Sequence, residues 1–312
     1  MERAFLRFKE GTEMRILVYG SINIDLNFSL DHIVKPGETI SSTGLRKSAG
    51  GKGANQAASL SKALGEKNKV VLAAKTGDDA NWIVEKLASF GVDTSLVSLS
   101  DKGSGQAIIQ IDKNGENSIV LYGGGNQDIR EDEIERVFSL FSSSDWLVIN
   151  AEINNLDLIF KKAVEKGMKV VVNPSPLTDE ILALPLDEAY LLIFNEIEGS
   201  ALCSSEEKDP QKILNALEEK YKDVRLVLTL GEKGSYYRYK GEEYHNDIFP
   251  VKAIDTVGAG DTFLGYFVAS LILGYSAKES LRRASFASAL SVQKKGAMDS
   301  VPTKEEFDKL YK

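Results

Sequence analysis

Cysteine is almost absent from the chain: Cys203 is the only one, and a lone thiol excludes a disulfide framework. Histidine is nearly as scarce. His32 and His245 stand apart in the sequence with no cysteine or histidine at metal spacing, which excludes the usual zinc sites. No apolar run reaches the roughly eighteen residues that cross a bilayer, so no transmembrane helix and no membrane partner are expected. The first ten residues are charged throughout and lack the apolar stretch of a secretion signal, so the expected location is cytoplasmic. Bases are outnumbered, 38 Lys and Arg against 46 Asp and Glu, and the formal charge of −8 disfavours a general nucleic-acid binder. It leaves room for a small anion held in a local basic or amide-lined pocket. What remains is an ordinary globular composition, 43% hydrophobic and 27% charged over 312 residues, which excludes disorder and coiled coil. That length fits one or two domains at about 150 residues each.

Short apolar runs alternate with longer amphipathic stretches. The runs Ile16–Tyr19, 70–74, Trp146–Asn150, Lys169–Asn173, Leu191–Asn195 and 224–230 read as strands buried on both faces. Helical periodicity fills 54–63, 80–90, 132–141, 156–166 and 211–222 between them. Helical crossovers between apolar strands predict a three-layer α/β/α sandwich with a mostly parallel central sheet. The C-terminal stretches 259–273, 277–293 and Lys304–Leu310 read as helices. Two segments break the rhythm, 23–49 and 104–123. The second splits into strands 107–112 and 118–122 around Asn114-Gly115, a strong hairpin signal. Together they predict a small antiparallel β lid above the cleft, or a dimer contact. Residues 1–13 precede the first strand and read as an N-terminal extension, with 14–312 as one domain.

The segment Asp255-Thr256-Val257-Gly258-Ala259-Gly260-Asp261 runs straight into an apolar helix. Glycines permit a tight turn, and the amides at a helix start carry partial positive charge, which suits phosphate. Asp261 falls in the first helical turn. It either complements the helix dipole or accepts the proton of an alcohol attacking phosphorus. A second glycine-rich turn, Gly50-Gly51-Lys52-Gly53-Ala54-Asn55, also opens a helix. Its spacing is not that of a Walker loop, and strand one lacks the Gly-x-Gly-x-x-Gly dinucleotide fingerprint. Its amides, Lys52 and Asn55 suit a ligand with several hydroxyls, or else form a solvated helix start. Asn23 and Asp25, two residues apart, share a face if extended and would clamp a diol; alone they would equally suit a turn. Trp82 and Trp146 suit packing.

Taken together these motifs resemble the ribokinase family of sugar kinases, the phosphofructokinase-B-like carbohydrate kinases. The resemblance runs from about residue 15 to 302. It rests on residues 20–25, Pro36-Gly37-Glu38-Thr39, 50–57, Thr76-Gly77-Asp78-Asp79, Asn173-Pro174-Ser175-Pro176, Asn195-Glu196-Ile197-Glu198, residues 229–234, 255–263, Lys295-Gly296-Ala297 and Ser300-Val301-Pro302. It implies transfer of a phosphoryl group from MgATP to the 5-hydroxyl of D-ribose, with Asp261 as base and the amides of Gly258, Ala259 and Gly260 as anion hole. Asn23, Asp25, Gly51, Lys52, Asn55 and Glu152 fall at its sugar-binding positions. Asn195 and Glu198 match its Asn-x-x-Glu pair, which organises Mg²⁺ through water. Thr229, Gly231, Glu232 and Gly234 match the nucleotide-binding turn, and Ser285 an adenine-side position. Asp255, Val257, Ser291, Lys294, Gly296 and Ser300 match a monovalent cation site, usually K⁺. A homodimer through the lid sheet is also implied. Alternatives are a kinase of the same family acting on fructose, 2-deoxyribose or adenosine, and a non-catalytic sugar- or nucleotide-binding regulator. One stretch departs from the family pattern: Gly123-Gly124-Gly125-Asn126-Gln127 stands where Gly-Ala-Asn-Ala is typical. Gln106 and Gln110 in the lid strand are also unusual.

Overall fold

The computed structural model describes residues 14–65 and 69–312; the expected extension at 1–13 lies outside the described residues. In chain order the strands are β1 (Ile16–Tyr19), β2 (Asn23–Ser29), β3 (Gly44–Gly50), β4 (Val70–Thr76), β5 (Asp93–Leu99), β6 (Gly105–Ile111), β7 (Asn117–Tyr122), β8 (Trp146–Asn150), β9 (Lys169–Asn173), β10 (Leu191–Asn195), β11 (Arg225–Thr229), β12 (Ser235–Tyr239) and β13 (Glu242–Asn246). The helices are α1 (Lys52–Leu64), α2 (Asn81–Ser89), α3 (Glu131–Phe138), α4 (Leu156–Glu165), α5 (Asp179–Leu182), α6 (Glu196–Leu202), α7 (Pro210–Lys220), α8 (Ala259–Ile272), α9 (Ala277–Ser291) and α10 (Lys304–Leu310).

Among the described residues nine strands form the main sheet, in the order β13-β12-β11-β10-β9-β8-β1-β4-β5. Its pairings are parallel from β11 through to β5, and the β12–β13 hairpin closes one edge antiparallel. Because side chains alternate across a strand, the apolar runs divide between two faces. Ile16, Val18, Val70, Leu72, Val148 and Ile193 face a core shared with α1, α8, α9 and α10. Leu17, Tyr19, Val71, Leu147, Val170 and Phe194 face a second core under α3, α4 and α7. This is the expected three-layer sandwich. Three strands escaped the sequence reading for one reason. β5 and β13 lie at the sheet edges and β12 is the outermost but one, and in all three polar residues replace the continuous apolar run.

The lid is a second sheet of four strands, β3-β2-β6-β7. Its outer pairs are antiparallel hairpins, and its central pair, β2 with β6, is parallel. Topology explains that pairing: β2 follows β1 and β6 follows β5, both strands of the parallel main sheet, so both lid strands leave its same end.

Two close approaches set the site. A Cβ on Gly53 would collide with the backbone of Gly20 and Ser21, so the start of α1 rests directly on the end of β1. A Cβ on Gly265 would overlap the Ser59 hydroxyl, which donates to the Thr262 carbonyl at 3.1 Å. Helices α1 and α8 therefore touch backbone to side chain, with no bulky residue between them.

Candidate active site

Strand β2 and the start of α1 carry the residues expected at the sugar-binding positions, Asn23, Asp25, Lys52 and Asn55, with Gly51 between them. Gly51 adopts a left-handed φ of 92°, and a Cβ there would meet the Asn23 amide nitrogen at 2.8 Å. This lets Lys52 begin a helix beside β2. Glu152, just past β8, is drawn into the same spot. Its Oε2 accepts from the Ser21 hydroxyl, from the Lys52 amide at 3.0 Å and from Asn23 Nδ2 at 3.4 Å. Asp25 projects from β2 toward the paired strand β3, where a Cβ on Gly50 would fall inside its carboxylate. Burial, then the Glu152 charge, pushes the Asp25 carboxyl up to about 7 against the pull of Arg46. Burial would lower the Lys52 ammonium, but the carboxylates of Asp261, Glu152 and Glu198 outweigh it and hold the group above its ordinary value. The clamp thus joins acceptors and donors in one patch, the composition a polyhydroxyl ligand requires.

Asp261 enters from the other side. Gly258 caps α8 with a left-handed φ of 75°, and a Cβ on it would press on Ala297 at 2.8 Å. Asp261 is buried in the first turn, with Oδ2 accepting from Asn55 Nδ2 at 3.1 Å and Oδ1 from Gln56 Nε2 at 3.0 Å. Its partners lie on α1, so the carboxylate faces the clamp and not solvent. The Ala259 amide donates to the Thr256 carbonyl at 3.2 Å. The Thr262 amide already donates to the Gly258 carbonyl at 2.8 Å, so the amides of Gly260 and Asp261 between them are the orphan donors that a helix start offers an anion.

A cavity of about 170 Å³ joins these parts, bordered by Lys52, Asn195, Glu198, Asp261 and the turn from Gly258 to Gly260. A neighbouring slot of about 330 Å³ shares Thr229, Thr256, Ala259 and Gly260 with it. Its walls carry Gly231, Glu232, Gly234 and Ser285 together with Ile248, Phe249, Val251, Phe263 and Val292. An apolar slot opening onto an amide-lined cavity fits a flat base attached to phosphates. Gly234 is obligatory there: its φ is 87°, and a Cβ would strike the Asn246 carbonyl. A more open groove of about 610 Å³ outside α6 takes Glu196, Ile197 and Lys233 from the quoted motifs but is bordered by none of the candidate site residues.

Asn195 and Glu198 form a reciprocal cap on α6. The Glu198 amide donates to Asn195 Oδ1 at 2.9 Å, and the Asn195 amide to Glu198 Oε2 at 2.9 Å. The cap holds Glu198, buried, at the cavity wall. Of the six cation-site candidates, Asp255, Val257 and Gly296 are joined by hydrogen bonds, and the Lys294 amide donates to the Ser291 carbonyl at 3.0 Å. Asp255 accepts from the Val257 amide at 3.0 Å and the Gly296 amide at 2.9 Å, stapling the 292–300 loop to the turn before α8. Ser291, at the end of α9, and Ser300, at the end of that loop, are buried and donate to the carbonyls of Ser288 and Ala297. The Lys294 ammonium instead turns outward to Glu306, 3.4 Å away, so its place in such a site would be through its backbone.

Several residues here escaped the sequence reading. Ser21 and Gln56 touch Glu152 and Asp261 directly, while Asn126 and Asn150 support Asn23 and Gln56. Gln56 lay within the quoted Gly50–Ala57 segment, one residue beyond Asn55, where a rotation of about 100° per residue hides which face it takes.

The geometry has counterparts. The model of the pfkB family of carbohydrate kinases matches residues 14–304. A ribokinase of Haemophilus influenzae is 36% identical over 299 residues, spanning 93% of this chain and 96% of that protein. A deoxyribokinase of Salmonella typhimurium is 30% identical over 305 residues, spanning 95% and 98%. Among solved structures, Arabidopsis thaliana ribokinase complexed with ribose and ATP superposes with a TM-score of 0.82 at 30% identity, covering 96% of this chain and 99% of that one.

Proposed function

This chain belongs to the pfkB family of carbohydrate kinases, and we propose that it transfers the γ-phosphoryl group of ATP to the 5-hydroxyl of D-ribose. The observation that carries the reading is the Asp261 carboxylate, bonded to Asn55 and bordering the same cavity as the Gly258–Gly260 turn. In this reading Asn23, Asp25, Lys52, Asn55 and Glu152 hold the sugar with its hydroxyl toward Asp261. The hydroxyl oxygen forms the new bond to phosphorus as Asp261 takes its proton. The bond from phosphorus to the β-phosphate oxygen breaks, and its electron pair leaves with ADP. Little covalent work falls to the protein, so placement and charge neutralisation dominate. Amides at the α8 start and the Lys52 ammonium meet the charge that develops; losing one comparable donor costs on the order of 10²–10³ in rate.

The residues fit a divalent ion. Glu198 is buried at the cavity wall with Oε2 committed to the cap, which leaves Oε1 for a metal-bound water. Asn195 and Glu198 would hold Mg²⁺ that way, and the ion would supply charge neutralisation between phosphates. The loop stapled by Asp255 would hold K⁺ through backbone oxygens of residues 255, 257, 291, 294, 296 and 300.

A coupled ADP-release assay over D-ribose, 2-deoxy-D-ribose, fructose and adenosine, with and without K⁺, tests the reading. Ribose should give the highest kcat/KM. The similarity to a deoxyribokinase makes 2-deoxyribose the second candidate, and a reversal of the two would replace the first reading by that one. Binding with no product from any acceptor would leave a regulator.

Two further outcomes follow from the lid. ATP hydrolysis without sugar should run at under about one hundredth of the kinase rate, because closure completes a water-excluding site only over an acceptor; rapid sugar-independent hydrolysis would refute closure. We also propose that the lid sheets pair two copies of this chain. Ile119, Val120, Leu121 and Tyr122 of β7 are all about half exposed, an apolar edge strand that suits burial against a second copy. Sedimentation at micromolar concentration should report a dimer and Val120→Glu a monomer; a monomeric parent chain would exclude the pairing.

A further inference from the structure

The run of three glycines, Gly123 to Gly125, ends in Asn126, and the structure gives those glycines a task. Gly124 takes a positive φ of 49°, and a Cβ on it would strike the Ser104 carbonyl. A Cβ on Gly125 would meet the Lys75 carbonyl oxygen at 2.5 Å. The turn is thus wedged between the start of the lid strand β6 and the end of β4, a path closed to larger residues. It delivers Asn126, 2% exposed, beneath Asn23.

There Asn126 makes a directional set of bonds. Its Oδ1 accepts from the Ile22 amide at 3.0 Å. Its Nδ2 donates to Asn23 Oδ1 at 2.7 Å, with the Ile22 carbonyl at 3.4 Å as a second acceptor. A backbone N–H can only donate, so Ile22 fixes which end of the Asn126 amide faces it. The other end is then necessarily a donor, and Asn23 must meet it with oxygen. Asn23 is left pointing Nδ2 outward, 3.4 Å from Glu152 Oε2 in the sugar clamp. The next residue braces the same place: Gln127 Nε2 donates to the Glu152 carbonyl at 3.2 Å.

We infer that Asn126 is a positioning residue that sets the polarity of the sugar clamp, compelling Asn23 to offer its acceptor a hydrogen-bond donor and not an acceptor. The inference rests on the sugar-kinase reading given above. It also couples the clamp to the lid. Asn23 pairs with Gly105 at the start of β6, and a Cβ on Gly105 would intrude on the Asn126–Asn23 bond. The hydrogen bond therefore lies against the lid strand itself.

The test is Asn126→Asp. Its carboxylate keeps an oxygen for the Ile22 amide but presents a second oxygen to Asn23, which must rotate and turn Oδ1 toward Glu152 and the sugar. The KM for ribose should rise about 10-fold to 100-fold, the cost of replacing a buried donor by an acceptor, with the KM for ATP within about 3-fold of the parent. Asn126→Ala, which removes the constraint without reversing it, should raise the ribose KM about 3-fold to 10-fold with the ATP KM again unchanged. If Asn126→Asp does not fold, the Ala variant alone decides. An unchanged ribose KM, or equal rises in both KM values, overturns the inference. The parent enzyme separates the two claims: activity on ribose with unaffected variants removes only the role of Asn126, whereas a parent without activity on any sugar removes both.

Discussion

Asp261→Asn is expected to lower kcat by at least about 10², the contribution of a positioned general base, with a sugar KM within about 10-fold of the parent. The surroundings make this a clean substitution. In the parent, Asn55 and Gln56 each donate to one carboxylate oxygen. An asparagine there turns one oxygen into a donor, and one neighbour has to offer an acceptor instead. Gln56 is committed, since its Oε1 takes a bond from Asn150 Nδ2 at 3.3 Å. Asn55 is free to respond, because its Oδ1 is buried without a partner. Rotating that amide pairs Oδ1 with the new donor and leaves Nδ2 in the place where Oδ1 had no partner, so the number of unpaired buried groups is unchanged and the melting temperature should stay within a few degrees. The check is steady-state kinetics beside a thermal melt. Near-normal turnover in a folded variant would remove Asp261 from the chemistry.

The second large effect belongs to Asp25. In the free enzyme its carboxyl is pushed up to about 7 by burial and by the neighbouring Glu152. The ionised form is the better acceptor pair for a diol. The kcat/KM for sugar should therefore fall as pH drops below about 7, approaching tenfold per pH unit. Asp25→Asn should abolish that limb and lower kcat/KM by about 10²–10³ at pH 8, the loss of two charge-assisted hydrogen bonds. A limb that persists unchanged in the variant would assign it elsewhere. The same shift acts on stability with the opposite sign. A carboxyl raised in the folded state favours its protonated form there, so its contribution is complete below about pH 4 and is lost as pH rises through about 7. Asp25→Asn should accordingly raise the melting temperature at pH 8 more than at pH 5. The clamp is held at some cost to the fold, a common bargain at binding sites.

The sequence made the main architecture legible because parallel strands buried on both faces carry continuous apolar runs, as at β1, β8 and β10. The antiparallel strands beyond β11 do not, and β12, with its Tyr236, Tyr237, Arg238 and Tyr239, carries no such run. The site residues that could be named were those in glycine-rich turns, where spacing limits what the backbone can do. Residues that act by touching another side chain left no such trace. Ser21 sits one place before Ile22 in an unremarkable loop, and Asn150 ends an apolar strand, yet both are fully buried in the network around Glu152 and Gln56. The glycine run before Asn126 was visible as a departure from the family pattern, but its meaning depended on Lys75 and Ser104, residues from two other elements.

The bare contact between Gly265 and Ser59 constrains how this enzyme can change. It sets the distance between α1 and the helix that carries Asp261 through a bare backbone on one side and a small side chain on the other. A larger side chain at either position would part α1 from α8 and draw Asp261 away from its partners Asn55 and Gln56, so the contact tolerates no added bulk. Variants with altered acceptor scope, whether natural or selected in the laboratory, should therefore accumulate their changes in β2, β6 and β7, where the opposite wall can be reshaped one residue at a time.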